Sequence, residues 1–282
     1  MIKTSIEIQG KHQKPILIDY RYLPDGLQKP IIIFCHGYKG FKDWGAWNLM
    51  ADAFAVVGFC FIKFNFSHNG GTKEQPIDFP DLEAFGNNNY TKELDDLDSV
   101  INWVCSNIEL STEANINNIT LLGHSRGGGI VIIKAAEDSR IKAVISLAGV
   151  SNYKNRFPVG TAFDNWKNEG VYFVENARTK QQMPHYFQFY EDFIKNESRL
   201  TIQSAAKNLN IPFLIIHGDA DTSVSIQESK NLHQWNPNST LEVIKGANHV
   251  FGASHPWNEN YLPEHLDNLV DLIKSFVEQL SN

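Results

Sequence analysis

Hydrophobic and polar positions along this chain follow two patterns that alternate. Short, continuously apolar runs are typical of strands buried on both faces, and they lie at 30–35, 59–66, 119–122, 141–149, 211–217 and 240–244. Residues 2–8 and 15–22 instead alternate polar and apolar, which predicts two strands paired antiparallel at the edge of the sheet. With helical segments between the apolar runs, the pattern predicts an α/β fold with a mostly parallel central sheet and helices on both faces.

Helices are predicted where apolar residues recur every three or four positions. Helices are predicted at 47–57, after 126 and at 226–235. Two more are predicted from apolar stripes, one from 266 to 280 and one made of Leu94, Leu97, Ile101, Val104 and Ile108. The acidic run Asp95, Asp96 and Asp98 is interpreted as a solvated helix face. The long segment 67–89 is rich in Asn, Gly, Pro and Asp, which predicts a functional or mobile loop.

One region interrupts this regular order of strands and helices. Between about 150 and 207 aromatic residues are dense, are mixed with charges and show no strand alternation. We therefore predict that 1–150 and 208–282 form the core, and that 151–207 is a helical cap inserted after the sixth strand. We expect the cap to line a substrate pocket with its aromatic side chains, for which Phe187 and Tyr190 are the candidates.

Composition limits the kinds of partner. The 282 residues suffice for a large core, and a net charge of -7 without a lysine or arginine block argues against nucleic acid and anionic membranes. No apolar run approaches 18 residues, and the N-terminus lacks an apolar signal region, so a cytoplasmic location is predicted. The three cysteines are interpreted as reduced core residues. Small molecules are the expected partners, with no prediction of oligomeric state.

The sequence Gly123-His124-Ser125-Arg126-Gly127 joins a buried strand to a helix. A serine at such a junction is held in a strained conformation above the sheet, and glycines two residues either side of it meet a steric demand of the turn. The helix directs its N-terminal N–H groups at the space beside Ser125, where they could stabilise an anion. The glycine-containing loop 36–40 could supply a second donor.

A serine hydroxyl needs a histidine base and a carboxylate that orients it. Such groups collect at the carboxyl ends of parallel strands, where Asp219 and Asp221 follow one strand and His249 follows the last. His255 is an alternative base. The chain contains no His-Glu-x-x-His and no phosphate-binding loop, so neither metal nor cofactor is predicted.

These motifs, in this order, resemble those of the α/β-hydrolases, and most of all the cytosolic carboxylesterases of the dienelactone-hydrolase and cinnamoyl (feruloyl) esterase type, which also carry a cap. The resemblance implies that Ser125 is the nucleophile, His249 the base and Asp221 the carboxylate that orients it. It also implies that the backbone N–H groups of Tyr38 and Arg126 form the oxyanion hole. Asp219 is then a turn residue.

The resemblance implies a serine hydrolase that cleaves carboxylic esters of small to medium acyl groups, aromatic ones among the candidates, through an acyl-enzyme. A serine peptidase or aminopeptidase acting on small peptides, or a non-catalytic binding protein, are the alternatives. Of the other histidines, His124 and His68 are candidates for lining the pocket, and the remaining two at strand ends, 36 and 217, are expected to be structural. The side chain of Arg126 either pairs with a core carboxylate, which is favoured, or contacts an acidic substrate.

Overall fold

The structure is a computed structural model that describes residues 1–107 and 109–280. Its strands are β1 Ile2–Gln9, β2 Pro15–Tyr22, β3 Lys29–Cys35, β4 Cys60–Asn65, β5 Ala114–His124, β6 Ile141–Leu147, β7 Val171–Glu175, β8 Gln182–Tyr186, β9 Phe213–Gly218 and β10 Thr240–Ile244. Its α-helices are α1 Trp47–Val56, α2 Leu82–Gly86, α3 Tyr90–Ser106, α4 Arg126–Glu137, α5 Thr161–Glu169, α6 Gln188–Lys195, α7 Glu197–Leu200, α8 Ile202–Asn208, α9 Ile226–Trp235 and α10 Glu264–Gln279. Ile108, which belongs to the predicted stripe of α3, lies outside the described residues.

The central sheet has eight strands in the order β1-β2-β4-β3-β5-β6-β9-β10. Strand β1 is antiparallel to β2, and β2 is antiparallel to β4, whereas every later neighbouring pair is parallel. The predicted mostly parallel sheet with an antiparallel edge is therefore confirmed. Because the parallel strands share one direction, the segments that follow β3, β5, β9 and β10 all begin at the same edge of the sheet.

Helices cover both faces of this sheet. Alternate residues of β3 show it directly, since Ile31 and Ile33 pack in one apolar core with α3 and α4, while Ile32 and Phe34 pack in a second core with α1 and α10. All four of these side chains are fully buried. A strand with both faces covered must be apolar throughout, which is why the continuous apolar runs identified the parallel strands.

Two local predictions need correction. The acidic run of α3 is not wholly solvated, because Asp96 is fully buried and its Oδ2 accepts a hydrogen bond of 2.7 Å from the backbone N–H of Ser67. Asp96 lies three residues after the buried Glu93 and four before the buried Val100, so it falls on a buried face wider than the apolar stripe alone. The loop 67–89 also contains a short helix, α2, capped by the side chain of Asp81.

The segment between β6 and β9 contains four α-helices and a feature that the sequence pattern did not predict. Strands β7 and β8 form an antiparallel hairpin outside the main sheet. Polar and apolar residues do not alternate cleanly in either strand, so no period of two was visible. The hairpin packs on α2, where a Cβ on Gly86 would come within 2.8 Å of the Tyr186 ring.

Cys35 and Cys60 are buried in strands and Cys105 is half-buried in α3, and all three are free thiols. In residues 1–107 and 109–280, none of the helices combines the length and apolar character that a membrane span needs.

Candidate active site

Ser125 lies at the sharp turn between β5 and α4. Its backbone adopts φ 56° and ψ −117°, a conformation that costs a non-glycine residue about 1–3 kcal/mol. The turn is held by a hydrogen bond of 2.9 Å from the Ser125 N–H to the Leu147 carbonyl. The flanking glycines are sterically required, because a Cβ on Gly123 would lie 2.2 Å from the Gly127 carbonyl oxygen and one on Gly127 would lie 2.4 Å from that of Cys35.

Asp221 and His249 meet at the carboxyl ends of β9 and β10. The Nδ1–H of His249 donates to Asp221 Oδ2 at 2.7 Å, which directs His249 Nε2 away from the carboxylate. The other oxygen of Asp221 accepts the backbone N–H groups of Ser223 and Val224 at 2.7 and 2.9 Å. Burial alone would raise the pKa of Asp221, but hydrogen bonds from His217, His249 and the Val224 N–H outweigh it and hold the pKa well below its usual value.

The alternative carboxylate and the alternative base lie in other contacts. Asp219 Oδ1 accepts the Gly246 N–H at 2.6 Å and joins the two loops that follow β9 and β10. His255 Nδ1 accepts the Gly45 N–H at 2.8 Å, and its ring packs on Phe41. The structure therefore brings Asp221, and not Asp219, to His249.

Two buried histidines, His217 and His124, contact the pair formed by Asp221 and His249. His217 Nε2 lies 3.2 Å from Asp221 Oδ2 and its Nδ1 lies 2.7 Å from Ser229 Oγ, so the ring links the carboxylate to α9. His124 Nε2 lies 2.8 Å from the His249 carbonyl oxygen. Burial, helped by His249, lowers the pKa of His124 to about 3, so the neutral ring donates to that carbonyl and holds the His249 loop in place.

These contacts extend the sequence analysis. For His217 a structural role was expected, but its contact with Asp221 was not, and the only signal for it was the spacing of four residues between the two. His124 borders a smaller cavity of about 140 Å³ that also reaches Ser125 and His249. His36 and His68 are both buried, and burial lowers the pKa of each to about 4.

A cavity of about 410 Å³ opens beside the candidate nucleophile. It is lined by Tyr38, Tyr90, Ser125, Arg126, Val150, Tyr153, Arg156, Tyr172, Val174, His185, Phe189, Ser223, Val224 and His249. Ser125 and His249 thus line one cavity although they lie 124 residues apart in the sequence. Its volume is within the range of small-molecule sites, about 300–1,000 Å³.

Phe187 and Tyr190, the predicted pocket residues, are not among the residues that line this cavity. Their rings pack on each other with centroids 5.6 Å apart and on Trp166 at 5.1 and 6.3 Å, inside the inserted segment. Phe189, between them in the sequence, faces the cavity instead. Density of aromatic residues was visible in the sequence, but the turn between β8 and α6 decides which of them points inward.

The loop after β3 lies against the nucleophile. A Cβ on Gly37 would lie 2.9 Å from Ser125 Cβ, which places the neighbouring Tyr38 beside Ser125. The Tyr38 hydroxyl donates to His185 Nε2 at 2.8 Å, and His185 Nδ1 lies 3.2 Å from the Met183 carbonyl. Burial lowers the pKa of His185 to about 3, which keeps the ring neutral. His185, on the unpredicted hairpin, is a site residue that the sequence analysis missed.

The side chain of Arg126 passes between aromatic rings to a buried carboxylate. Its guanidinium lies 3.1 Å from Glu93 Oε1 and about 5 Å from the ring centroids of Tyr38, Tyr90 and Phe189. The favoured pairing with a core carboxylate is therefore present. Among the described residues, no group of three or more His, Cys, Asp or Glu side chains is arranged to hold a metal ion.

Comparisons with known proteins identify the family of this chain and its fold. The model of the BD-FAE family matches residues 80–236, more than half of the chain. An Escherichia coli protein, described as an uncharacterized 31.7 kDa protein in the traX-finO intergenic region, is 30% identical over 139 residues, which are 48% of this chain and 43% of that protein. The chain thus spans less than half the length of that relative.

Two further likenesses cover nearly the whole chain. A Mycoplasma genitalium protein named as a candidate esterase/lipase is 23% identical over 263 residues, which are 86% of this chain and 91% of its own. The solved structure of Est1E from Butyrivibrio proteoclasticus with ferulic acid bound has a TM-score of 0.75 and 18% identity, covering 98% of this chain and 100% of the other. At this identity the structural likeness establishes the fold.

Proposed function

Because the chain belongs to the BD-FAE family of the α/β-hydrolase superfamily, we propose that it is a serine hydrolase that cleaves carboxylic esters through an acyl-enzyme. The observation that carries the proposal is the convergence of three side chains from three strand ends. Ser125 lies in a strained turn and lines a cavity, His249 lines the same cavity, and Asp221 accepts a hydrogen bond of 2.7 Å from His249 Nδ1. A Ser-His-Asp triad needs a serine and a histidine at one site, with the carboxylate bonded to the ring nitrogen that faces away from the serine.

In the proposed reaction the Oγ of Ser125 attacks the ester carbonyl carbon and its proton passes to His249 Nε2. The carbonyl oxygen becomes an anion beside the backbone N–H groups of Tyr38 and Arg126, the proposed oxyanion hole. When the tetrahedral intermediate collapses, the bond to the leaving oxygen breaks and that oxygen takes the proton from His249. Water then attacks the acyl-enzyme with the same base, which releases the acid and restores the serine.

The charges around His249 suit this role. Asp221 stays ionised because its hydrogen bonds hold its pKa low, so it accepts from Nδ1 and leaves Nε2 as the free acceptor for the serine proton. Asp221 also stabilises the imidazolium that forms after proton transfer. The bond from His124 to the His249 carbonyl fixes the loop that carries the base.

We further propose that the inserted segment 151–207 is a cap over this site, and that the cavity takes small to medium acyl groups, aromatic ones included. Tyr172 and Phe189 from this segment supply flat walls. Est1E, whose solved structure holds ferulic acid, carries an aromatic acid on the same fold, which supports aromatic acyl groups as candidates here.

The test is an assay of the purified protein on short-chain, long-chain and aromatic acyl esters beside aminoacyl anilides. We expect ester hydrolysis, and we expect Ser125→Ala to lower its rate by about 10⁶-fold because triad members act as a unit. Thermal unfolding of the variant serves as the folding control. Hydrolysis that persists in Ser125→Ala would remove Ser125 from the mechanism, and cleavage of anilides in preference to esters would favour a peptidase.

A further inference from the structure

Two arginines border the cavity beside Ser125, and no carboxylate side chain of the described residues lines it. Arg126 pairs with Glu93 and Arg156 pairs with Glu228, but neither glutamate borders the cavity. The cationic ends of two ion pairs thus face the space that the substrate would occupy. This arrangement does not favour purely apolar acyl groups, because an apolar ligand would remove water from a guanidinium without replacing its hydrogen bonds.

The Arg126 guanidinium retains hydrogen-bond donors for a ligand. It carries five N–H donors, and in the described residues its partners are Glu93 Oε1, at 3.1 Å, and the Tyr90 hydroxyl, so the other donors remain for a ligand. The rings of Tyr38, Tyr90 and Phe189 pack about 5 Å away, and ring faces stabilise the charge but are weak acceptors. Since 14% of the Arg126 side chain is exposed, a ligand in the cavity can reach the remaining donors.

Glu93 does not neutralise the cavity side of Arg126. Glu93 is buried behind it, and burial raises the pKa of Glu93 against the influence of Arg126. On the cavity side, burial raises the pKa of Tyr38 and Tyr172, and the positive charge of Arg126 partly offsets this rise. Burial lowers the pKa of His185, and the charge of Arg126 lowers it further. The potential at these three side chains is therefore made more positive by Arg126.

We infer that this cavity binds esters that carry an ionised carboxylate, with Arg126 as the group that receives it. The inference rests on the proposed esterase function and specifies its substrate class. A guanidinium offers parallel N–H donors that match the two oxygens of a carboxylate, and such charge-assisted bonds are stronger than neutral ones. Arg156, whose side chain is 36% exposed, adds positive charge at the rim of the cavity.

The first experiment compares charged and neutral esters of equal shape. On the acyl side, monomethyl adipate is compared with its primary-amide analogue and with methyl hexanoate. On the alcohol side, para-acetoxybenzoate is compared with para-acetoxybenzamide. In one of these two arms we expect kcat/KM for the carboxylate to exceed that for the matched amide by about 10- to 100-fold, the range expected for hydrogen bonds to a charged group. The arm that responds tells which side of the ester carries the charge.

The second experiment tests the role of Arg126 with a matched pair of variants. Glu93→Gln keeps the arginine and removes its partner's charge, whereas the double variant Arg126→Gln/Glu93→Gln removes both charges and leaves no buried charge unpaired. The readout is the carboxylate-to-amide ratio within each variant, so that changes in overall rate cancel. We expect Glu93→Gln to keep or increase the ratio and the double variant to bring it within about threefold of unity.

A measurement on the unaltered protein covers the case in which the double variant does not fold. Adipate should inhibit hydrolysis of a neutral ester competitively and more strongly than adipamide, and added salt should weaken this difference. Hydrolysis of neutral esters without a carboxylate preference in either arm, or a double variant that keeps the full ratio, would overturn this inference and leave the esterase function standing. Failure to hydrolyse any ester would overturn the proposed function itself.

Discussion

Exchange of Asp221 for asparagine tests the candidate triad most sharply, because the structure determines how the new amide must lie. The carboxylate is fully buried and accepts from both sides: the N–H groups of Ser223 and Val224 on Oδ1, and the rings of His249 and His217 on Oδ2. An asparagine must keep its oxygen toward the two backbone N–H groups, since a backbone N–H is always a donor, whereas a histidine ring can change its tautomer to accept an amide N–H. Its NH₂ group therefore faces His249 Nδ1.

That orientation forces the wrong tautomer on His249. Nδ1 must become the acceptor of the amide N–H, so the ring proton moves to Nε2, which then cannot accept a proton from Ser125. A buried aspartate exchanged in this way lowers the rate by about 10⁴-fold, which is about 5 kcal/mol of transition-state stabilisation. Because asparagine has nearly the same shape as aspartate, the fold should remain intact.

The assay measures kcat/KM for a neutral ester, with thermal unfolding as the folding control. Asp219→Asn is the matched control, because exposed Asp219 accepts only the Gly246 N–H through Oδ1, and an asparagine oxygen can keep that bond. We expect this control to lose less than about tenfold. A folded Asp221→Asn enzyme that keeps more than a tenth of the wild-type rate, or a larger loss in Asp219→Asn, would refute the assignment of the carboxylate.

Three further predictions concern the cavity wall and the buried charges. Phe189→Ala should change the kcat/KM ratio of aromatic to short aliphatic esters by about 1–3 kcal/mol, because Phe189 lines the cavity. Phe187→Ala removes packing inside the inserted segment, so it should lower the melting temperature and leave the ratio unchanged. Equal ratios in the two variants would contradict the cavity assignment. Lys63→Met should lower the free energy of unfolding in urea by about 3–5 kcal/mol, because it leaves the largely buried Asp19 and Asp43 with one cationic partner, Lys42, in place of two. Loss of the exposed ion pair between Lys3 and Asp52 in Lys3→Met should cost less than about 1 kcal/mol, and similar costs in the two variants would refute the importance of burial. Burial raises the pKa of Asp96 from 3.8 to about 7, so between these pH values the folded protein holds a proton that the unfolded chain has released, and stability falls as pH rises. In urea unfolding, Asp96→Asn should therefore have a higher free energy of unfolding than wild type at pH 8, and the difference should be smaller at pH 5. A difference that does not depend on pH would contradict this titration.

Sequence alone determined the features of this protein that depend on short-range physics. A strand covered on both faces must be apolar, and the turn at Ser125 has no room for a Cβ on Gly123 or Gly127, so these elements could be identified without a structure. A general rule pointed to Asp219, Asp221 and His249, because the segments after parallel strands lie at one edge of the sheet, and the choice of Asp221 over Asp219 came from the family resemblance.

Tertiary structure alone decided which side chains meet. Asp96 lies in an acidic run, and its burial depends on the position of the loop that carries Ser67. The choice of Phe189 over Phe187 as a cavity wall depends on the hairpin β7-β8, which also brings His185 to Tyr38. These contacts join residues far apart in the chain, and their free energies come from packing and desolvation rather than from local backbone preference. The spacing of apolar residues within one segment therefore does not predict these contacts.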